Sequence, residues 1–248
     1  VGAPVIMRSL TRGPGLPPPW ANDPLTSNGM LAEVNSHDFD TVRWLMGSEI
    51  RSVFARAAAL KAPELREQYP AFYDTAAVVL ELESGAIAII EGLCPATYGY
   101  DARAEVVGAE GVLVVGGLEG VAVTSVRKDD GTVQPMFPSW RDRFRHAYVD
   151  EAANFVERIH RGAPEVSGVI AGRRALEGVL AGTESIRRGE AVTLPRSARA
   201  GPLSLPVPAP SRARPARSPR NGSRARPYSR PGSTPPATRP TASPPRAR

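Results

Sequence analysis

The stretch from residue 76 to residue 94, AAVVLELESGAIAIIEGLC, decides the fold class of this chain. Its two halves, Ala76–Glu83 and Ala86–Cys94, are rich in valine, isoleucine and alanine, and Ser84-Gly85 joins them. Valine and isoleucine favour strands, and a short connection that contains glycine is typical of a hairpin. The stretch therefore predicts two antiparallel strands of one sheet.

Further elements are predicted on both sides of this hairpin. The other predicted strands are Pro4–Arg12, Ile50–Ala58, Arg103–Val107, Val112–Val115, Val121–Val126, Thr132–Met136 and Ala191–Leu194. The predicted helices are Met30–Met46, Phe144–His160 and Ser167–Arg188. The last two helices repeat apolar residues every three or four positions, so each is expected to bury one face. This order predicts an α+β fold, a mostly antiparallel open sheet with helices packed on one face.

The glycines at positions 108, 111, 116 and 117 do not make a dinucleotide-binding motif. They do not follow the spacing G-x-G-x-x-G, and no helix is predicted after them. We interpret them as turn glycines between strands. The sequence therefore predicts no cofactor-binding residues in this chain.

The positive charge of the chain is concentrated at its C-terminal end. The formal net charge is +6, but residues 196–248 hold twelve arginines, 13 of the 26 prolines and no acidic residue. Residues 1–195 keep 19 basic and 25 acidic residues. A segment with so few large apolar residues cannot bury enough surface to offset its ordering entropy. We therefore expect one domain at 1–195 and a disordered Arg/Pro-rich tail at 196–248.

Two explanations of this tail are open at the level of sequence. Twelve arginines could bind nucleic acid non-specifically through its phosphates, with steep salt dependence. However, the tail has one aromatic residue for base stacking, Tyr228, and no lysine. Arg-, Pro- and Ala-rich sequence is also what a shifted reading frame produces in GC-rich DNA. We therefore favour an inert extension or a frame artefact over a nucleic-acid partner.

The single cysteine and the absence of long apolar runs indicate a cytoplasmic protein. Cys94 excludes an internal disulfide, which fits a reducing compartment. It lies in an apolar run with Ile89, Ile90 and Leu93, so a buried structural thiol is expected rather than a nucleophile. No apolar run approaches the ~18 residues of a membrane span, and no signal-peptide pattern is visible.

The segment with the most chemistry is residues 30–47, MLAEVNSHDFDTVRWLMG. On one continuous helix, four side chains at spacings of four, three and four share a face: Glu33, His37, Asp40 and Trp44. Histidine has the side-chain pKa closest to neutrality, and an adjacent carboxylate can orient its ring. This face therefore has the groups that proton transfer requires.

The same face has plainer explanations. Soluble helices carry charged faces, and Asp40 with Arg43 could be a surface ion pair worth less than about 1 kcal/mol. Trp44 is expected to lie in the core. A metal site is not favoured, because this helix offers only two candidate ligands and the other histidines, His146 and His160, are distant in sequence.

The segment resembles a motif of the Gfo/Idh/MocA oxidoreductases, which include inositol dehydrogenases. Their C-terminal domain carries a helix with the pattern Asp-x-x-x-His-Asp-x-Asp-x-x-x-Trp-Leu-x-Gly, and residues 33–47 match it with Glu33 in place of the first Asp. Further matches follow in order along the chain: Arg8–Arg12, Ser84–Ile89, Tyr98–Asp101, Val106–Gly111 and Trp140–Glu151. The resemblance covers nearly all of 1–195 and none of the tail.

The resemblance implies an NAD(P)-dependent enzyme that oxidises a CH–OH group of a sugar or an inositol-like cyclic polyol. His37 would bind the reacting hydroxyl or relay its proton, and Glu33 would stand in for the family's aspartate with one extra methylene. Tyr98, Tyr100 and Asp40 are expected to contact the substrate. The alternative for each tyrosine is a strand aromatic with a hydrated hydroxyl.

The resemblance also implies two parts that this sequence does not show. One is the N-terminal Rossmann domain that binds NAD or NADP. The other is a lysine in a Glu-Lys-Pro motif, whereas the only lysines here, Lys61 and Lys128, lie in other contexts. We therefore expect a truncated enzyme, with the choice between NAD and NADP undecided. The alternative is a non-catalytic oligomerisation or sugar-binding module; the family pairs subunits through the exposed sheet face, so a homo-oligomer is expected.

Overall fold

The computed structural model describes residues 1–116, 137, 139–163 and 167–195. Its strands are β1 (Pro4–Arg12), β2 (Ile50–Ala58), β3 (Thr75–Leu82), β4 (Ile87–Leu93), β5 (Asp101–Gly108), β6 (Gly111–Val115) and β7 (Val192–Thr193). Its α-helices are α1 (Pro24–Ser27), α2 (Gly29–Glu33), α3 (Ser36–Met46), α4 (Trp140–Arg143), α5 (Arg145–Arg161) and α6 (Val169–Arg188). The strands predicted at 121–126 and 132–136, and the tail at 196–248, lie outside the described residues.

The strands form one sheet in the order β6-β5-β1-β4-β3-β2-β7. Neighbouring strands are antiparallel except for β1 and β4, which run parallel. The predicted hairpin joins β3 to β4: the Leu82 amide donates to the Ala86 carbonyl at 2.9 Å, and Gly85 adopts a φ of +85°. The predicted α+β fold with a mostly antiparallel open sheet is confirmed.

The helices pack on one face of this sheet. Helix α3 contacts β1 and β4, and α6 contacts β2 and α3. Alternate residues of β3, namely Val78, Leu80 and Leu82, are fully buried beneath them, and burial of each such side chain contributes ~1.5–3 kcal/mol. A Cβ at Gly178 of α6 would lie 2.8 Å from Cδ1 of the buried Phe39, so the close approach of α6 to α3 requires glycine there.

The helix predicted at Met30–Met46 is wrong as one element, because the chain forms α2 and α3 with a break at Val34 and Asn35. The side chain of Asn35 is fully buried, and its Nδ2 donates to the carbonyl of Glu91 on β4 at 3.3 Å. This tertiary hydrogen bond holds Asn35 against β4, and asparagine is less favourable in a helix interior than at a helix end. The four-three-four spacing of the polar face therefore does not run along one helix.

Helix α5 also departs from its prediction. The five apolar positions expected to form its buried face, namely Ala147, Tyr148, Ala152, Phe155 and Ile159, are all exposed. The ring of Trp140 meets that of Tyr148 at 5.6 Å, but Phe155 and Ile159 are 67% and 64% exposed. Trp44, expected in the core, is 52% exposed. Both expectations of burial are wrong. An apolar side chain in the sequence does not identify the surface that would cover it.

Candidate functional site

A cavity of about 900 Å³ lies among the loop after β1, the α2–α3 segment and helices α4 and α5. Three of the predicted site residues line it: Glu33, His37 and Tyr100. A neighbouring cavity of about 500 Å³ is lined by Ser9, Asp38 and Arg143. Four residues line both cavities, which therefore adjoin: Thr11, His37, Thr41 and Phe144.

His37 and Glu33 reach the larger cavity from two different helices. Glu33 is the last residue of α2 and is half-buried, whereas His37 is the second residue of α3 and is exposed. The carbonyl of His37 accepts a hydrogen bond from Thr41 Oγ1 at 2.7 Å, which ties down this turn of α3. The acid and the imidazole thus line one cavity from two helices that are interrupted at Val34 and Asn35, and not from one face of a continuous helix.

Directly after His37, a buried carboxylate anchors the start of α3. Asp38 is 4% exposed. Its Oδ1 accepts from Ser9 Oγ at 2.5 Å, and its Oδ2 accepts from Asn35 Nδ2 at 2.8 Å. Burial raises the pKa of Asp38, against the opposing effect of these hydrogen bonds. Because Ser9 belongs to β1, this cluster fixes the backbone that carries His37 to the sheet.

Sequence reasoning missed this anchor, although a signal was present. Asp38 lies four residues after Val34 and four residues before Val42, and residues at this spacing share a helical face. A charged residue among apolar positions is expected to be buried and hydrogen-bonded. The same reasoning gives no indication of Ser9 or Asn35, since these contacts depend on the packing of α3 against β1.

Tyr100 lines the larger cavity just before β5 begins. Its ring meets the edge of the Phe144 ring at 5.9 Å and an interplanar angle of 84°. Burial raises the pKa of Tyr100 to about 12, and the negative charge of Asp38 acts in the same direction. The hydroxyl therefore keeps its proton at neutral pH and can donate a hydrogen bond to a ligand oxygen.

Tyr98 and Asp40 lie outside both cavities, with their polar atoms bonded elsewhere. The Tyr98 hydroxyl donates to Asp101 Oδ2 at 3.0 Å and accepts from Arg12 at 3.1 Å. Asp40 accepts from Arg43 Nη1 at 3.0 Å. Their roles as substrate contacts stay predictions.

The pair of Asp40 and Arg43 is not the surface pair that the sequence allowed. Arg43 is 4% exposed. It also donates to both carboxylate oxygens of Glu49 at 2.8 Å and to the carbonyl of Ala171 at 3.0 Å. Arg43 therefore holds the end of α3 to the first turn of α6.

Other site chemistries have little support within the described ranges. Cys94 is buried, as predicted, and burial raises the pKa of its thiol to about 11, so it is not a thiolate at neutral pH. No group of three or more His, Cys, Asp or Glu side chains there could hold a metal ion. None of the helices in those ranges has the length and apolar character that crossing a bilayer demands.

The described residues also do not fit a dinucleotide. Pyrophosphate binding in a Rossmann domain uses a glycine-rich turn between a parallel strand and the N-terminus of a helix. Here the glycine-containing turn at Gly108–Gly111 joins β5 to the antiparallel strand β6. In the described part of the chain, the only parallel pair is β1 with β4. No step through NAD or NADP is therefore assigned to these residues.

The fold and the site define an α+β domain with a cavity at the start of α3. An acid, an imidazole and a tyrosine line this cavity. Residues 1–114 match the model of the GFO/IDH/MocA C-terminal domain. The chain belongs to the GFO/IDH/MocA family through this domain, and the resemblance drawn from the sequence is confirmed.

Curated relatives extend the match beyond residue 114. The chain is 34% identical over 194 residues to the scyllo-inositol 2-dehydrogenase (NAD(+)) of Bacillus subtilis, which covers 78% of this chain and 55% of that protein. It is 31% identical over 196 residues to the myo-inositol 2-dehydrogenase of Thermotoga maritima, covering 78% and 57%. The crystal structure of a myo-inositol dehydrogenase from Corynebacterium glutamicum superposes with a TM-score of 0.65 at 27% identity, covering 77% and 56%. The chain thus spans little more than half the length of these relatives.

Proposed function

We propose that residues 1–195 supply the substrate site and the catalytic histidine of an NAD(P)-dependent oxidoreductase that acts on a CH–OH group of an inositol-like cyclic polyol. One observation carries this proposal: Glu33, His37 and Tyr100 line a single cavity although they come from two helices and the segment just before β5. The names of the curated relatives support the substrate class.

In this proposal His37 is the general base. The hydroxyl proton of the substrate passes to a nitrogen of its imidazole as the carbon–oxygen double bond forms. The carboxylate of Glu33 stabilises the imidazolium, and the protonated hydroxyl of Tyr100 donates to a neighbouring substrate oxygen. The oxidation also requires a hydride acceptor, for which the described residues offer no site. In this proposal a nicotinamide held by a separate domain accepts the hydride.

Tyr98 and Asp40 are the remaining proposed substrate contacts, and each would have to break existing hydrogen bonds to reach the substrate. Tyr98 would have to open its bonds to Arg12 and Asp101, and Asp40 would have to turn from Arg43. Substitution of either residue is therefore expected to weaken substrate binding less than substitution of His37 or Glu33.

A direct test uses the fact that the chain has only three histidines. Titration with myo-inositol is expected to shift the imidazole NMR signals of His37 saturably, and Glu33→Gln is expected to weaken this binding. His160, exposed on α5 and outside the cavity lining, is the internal control. The proposal is contradicted if the signals of His37 and His160 shift equally or if neither signal shifts.

The isolated chain is expected to bind neither NAD nor NADP and to show no turnover. Fluorescence titration with NADH measures this directly. Micromolar affinity for NADH would show that the chain holds a cofactor site and would contradict this expectation.

We also propose that the open face of the sheet pairs two copies of this chain. Phe54, Val79 and Ile89 stand opposite one another in register across β2, β3 and β4, and Phe54 and Val79 are exposed. Their sequence neighbours point into the core, so these side chains face away from the helices. Light scattering is expected to show a dimer or larger assembly that Phe54→Lys dissociates and that Phe155→Lys, an equally drastic change on α5, does not. A monomeric wild-type chain, or equal effects of the two variants, would contradict this.

A further inference from the structure

The lining of the larger cavity is of two chemical kinds. Its polar side chains lie on the α2–α3 segment, on β1, just before β5 and at α4 and α5: Thr11, Glu33, His37, Thr41, Tyr100, Ser139, Tyr148 and Glu151. The rest is dominated by apolar and aromatic residues from the loop after β1 and from α4 and α5: Pro14, Leu16, Pro17, Pro18, Trp140 and Phe144. The site is therefore built to hydrogen-bond part of a ligand and to pack against the remainder.

The loop after β1 is poorly suited to contact hydroxyl groups. Proline has no backbone N–H, so Pro14, Pro17 and Pro18 remove three donors from this part of the lining. Leu16 adds an aliphatic side chain that is 41% exposed. A ligand hydroxyl held against these prolines meets carbonyl acceptors but no N–H donor, so a hydrogen bond that it accepts from water is not replaced, which costs roughly tenfold in affinity.

The helical side of the cavity adds an aromatic surface. Trp140 is 40% exposed and its ring lies 5.6 Å from the ring of Tyr148 at an interplanar angle of 60°. The guanidinium of Arg141 lies 4.4 Å from the centre of the same indole and fixes one side of it. This aromatic pair provides an accessible surface for an apolar group of similar size.

The size of the cavity points the same way. Ligand pockets of ~300–1,000 Å³ enclose molecules of drug size, and this cavity, at about 900 Å³, is near the upper end. A bare six-membered polyol carries a hydroxyl on every carbon and would fill only part of this volume. It would also place some of those hydroxyls against proline and leucine.

We infer that the substrate is a cyclic polyol that carries an apolar substituent of aromatic size, with its ring hydroxyls at Glu33 and His37 and its substituent against Leu16, Pro18 and Trp140. This inference rests on the proposed function of the same site. It adds to that function a specificity surface, formed by the loop after β1 and by α4.

The test measures binding with Trp140 as the reporter. The chain has three tryptophans; Trp20 and Trp44 are 63% and 52% exposed and are replaced by phenylalanine. Three probes are titrated into the full 248-residue chain: myo-inositol, an O-benzyl ether of myo-inositol, and benzyl alcohol. The benzyl ether is expected to bind at least about tenfold more tightly than myo-inositol, since an aromatic group buries 150–250 Å², and benzyl alcohol is expected to bind more weakly than the ether.

Substitution separates the specificity surface from the polyol site. Leu16→Asn is expected to lower the affinity for the benzyl ether and to leave that for myo-inositol unchanged. Leu25→Asn, at a leucine that is 81% exposed and outside the cavity lining, is the matched control and is expected to change neither. Thermal melts of both variants establish that they are folded.

Each outcome decides between the two proposals. If myo-inositol binds as tightly as its benzyl ether, or if Leu16→Asn affects both equally, the specificity surface is wrong and the polyol site stands. If neither polyol binds, or if benzyl alcohol binds as tightly as the ether, the proposed function fails together with this inference.

Discussion

Replacement of Gly92 by alanine probes the link between the sheet and the histidine-bearing helix. Gly92 lies on β4, and a Cβ at this position would stand 2.1 Å from Asn35 Oδ1 and 2.9 Å from the Cε of Met30. Asn35 is fully buried, and its Nδ2 donates to Asp38. The added methyl group therefore pushes away the amide that anchors the start of α3.

The size of the effect follows from two contributions. Overpacking of a well-packed core costs ~1–3 kcal/mol, and loss of a hydrogen bond to a buried charged group costs ~1.5–3 kcal/mol. Together they predict that Gly92→Ala lowers the free energy of unfolding by about 2.5–6 kcal/mol. That is a large part of the ~5–15 kcal/mol that stabilises a typical domain.

Urea unfolding of the purified chain measures this loss, and Gly172→Ala provides the control. Gly172 lies inside α6, and a Cβ added there would meet no neighbouring atom within 4 Å, so alanine is expected to raise stability by about 0.5–1 kcal/mol. In an Asn35→Ala background the clashing amide is absent, so Gly92→Ala is expected to lower the free energy of unfolding by less than it does in the wild type. A double-mutant cycle measures this difference. The reasoning is refuted if Gly92→Ala unfolds within about 0.5 kcal/mol of the wild type.

Three further predictions concern charge and chain length. Burial raises the pKa of Asp38 above its ordinary 3.8. The free energy of unfolding of the wild type minus that of Asp38→Asn is therefore expected to be largest below pH 3.8 and to fall as the pH rises through the raised pKa. A difference that does not change with pH contradicts this. For Asp74, burial raises the pKa, but hydrogen bonds from the amides of Leu60, Lys61 and Ala62 at 2.8–2.9 Å outweigh it and lower the pKa. Asp74→Asn is therefore expected to cost about 1–3 kcal/mol at pH 7, a loss that disappears in urea titrations as the pH falls through the lowered pKa. Deletion of residues 196–248 is expected to leave the thermal unfolding midpoint unchanged and to reduce salt-dependent retention on heparin; a lower midpoint would show that the tail contributes to the folded domain.

The sequence predicted the local elements well because their signals are local. The hairpin at Ser84-Gly85 follows from a turn residue between two strand-forming runs, and both β3 and β4 form within one residue of their predicted ends. The parallel pairing of β1 with β4 could not be predicted in this way. Helices and two strands separate them along the chain, so no turn fixes their relative direction.

The exposed stripe of α5 shows a second limit of the sequence. Apolar periodicity predicts that a helix has a face to bury, but it does not say which surface buries it. Helix α6 does pack against α3 and β2, but mainly through small residues such as Ala175 and Gly178, whereas Leu176 and Leu180 of the expected buried face are 48% and 44% exposed. On α5, Phe155 is 67% exposed and Ile159 is 64% exposed among the described residues. The difference between the two helices lies in tertiary packing, which their sequences alone do not encode.

The break between α2 and α3 bears on the most unusual residue of the candidate site. If Glu33 and His37 lay on one helix, the extra methylene of glutamate would displace the carboxylate relative to the imidazole by more than an ångström, because helical geometry would fix both backbones. Glu33 instead ends α2, and the backbone turns at Asn35 before α3 begins. The two side chains therefore approach the cavity from independently oriented backbones. Under the proposed function, the longer acid takes the place of the family's aspartate as long as Asn35 and Asp38 hold that turn, so substitution of either buried residue is expected to disturb the site as much as substitution of a residue that lines it.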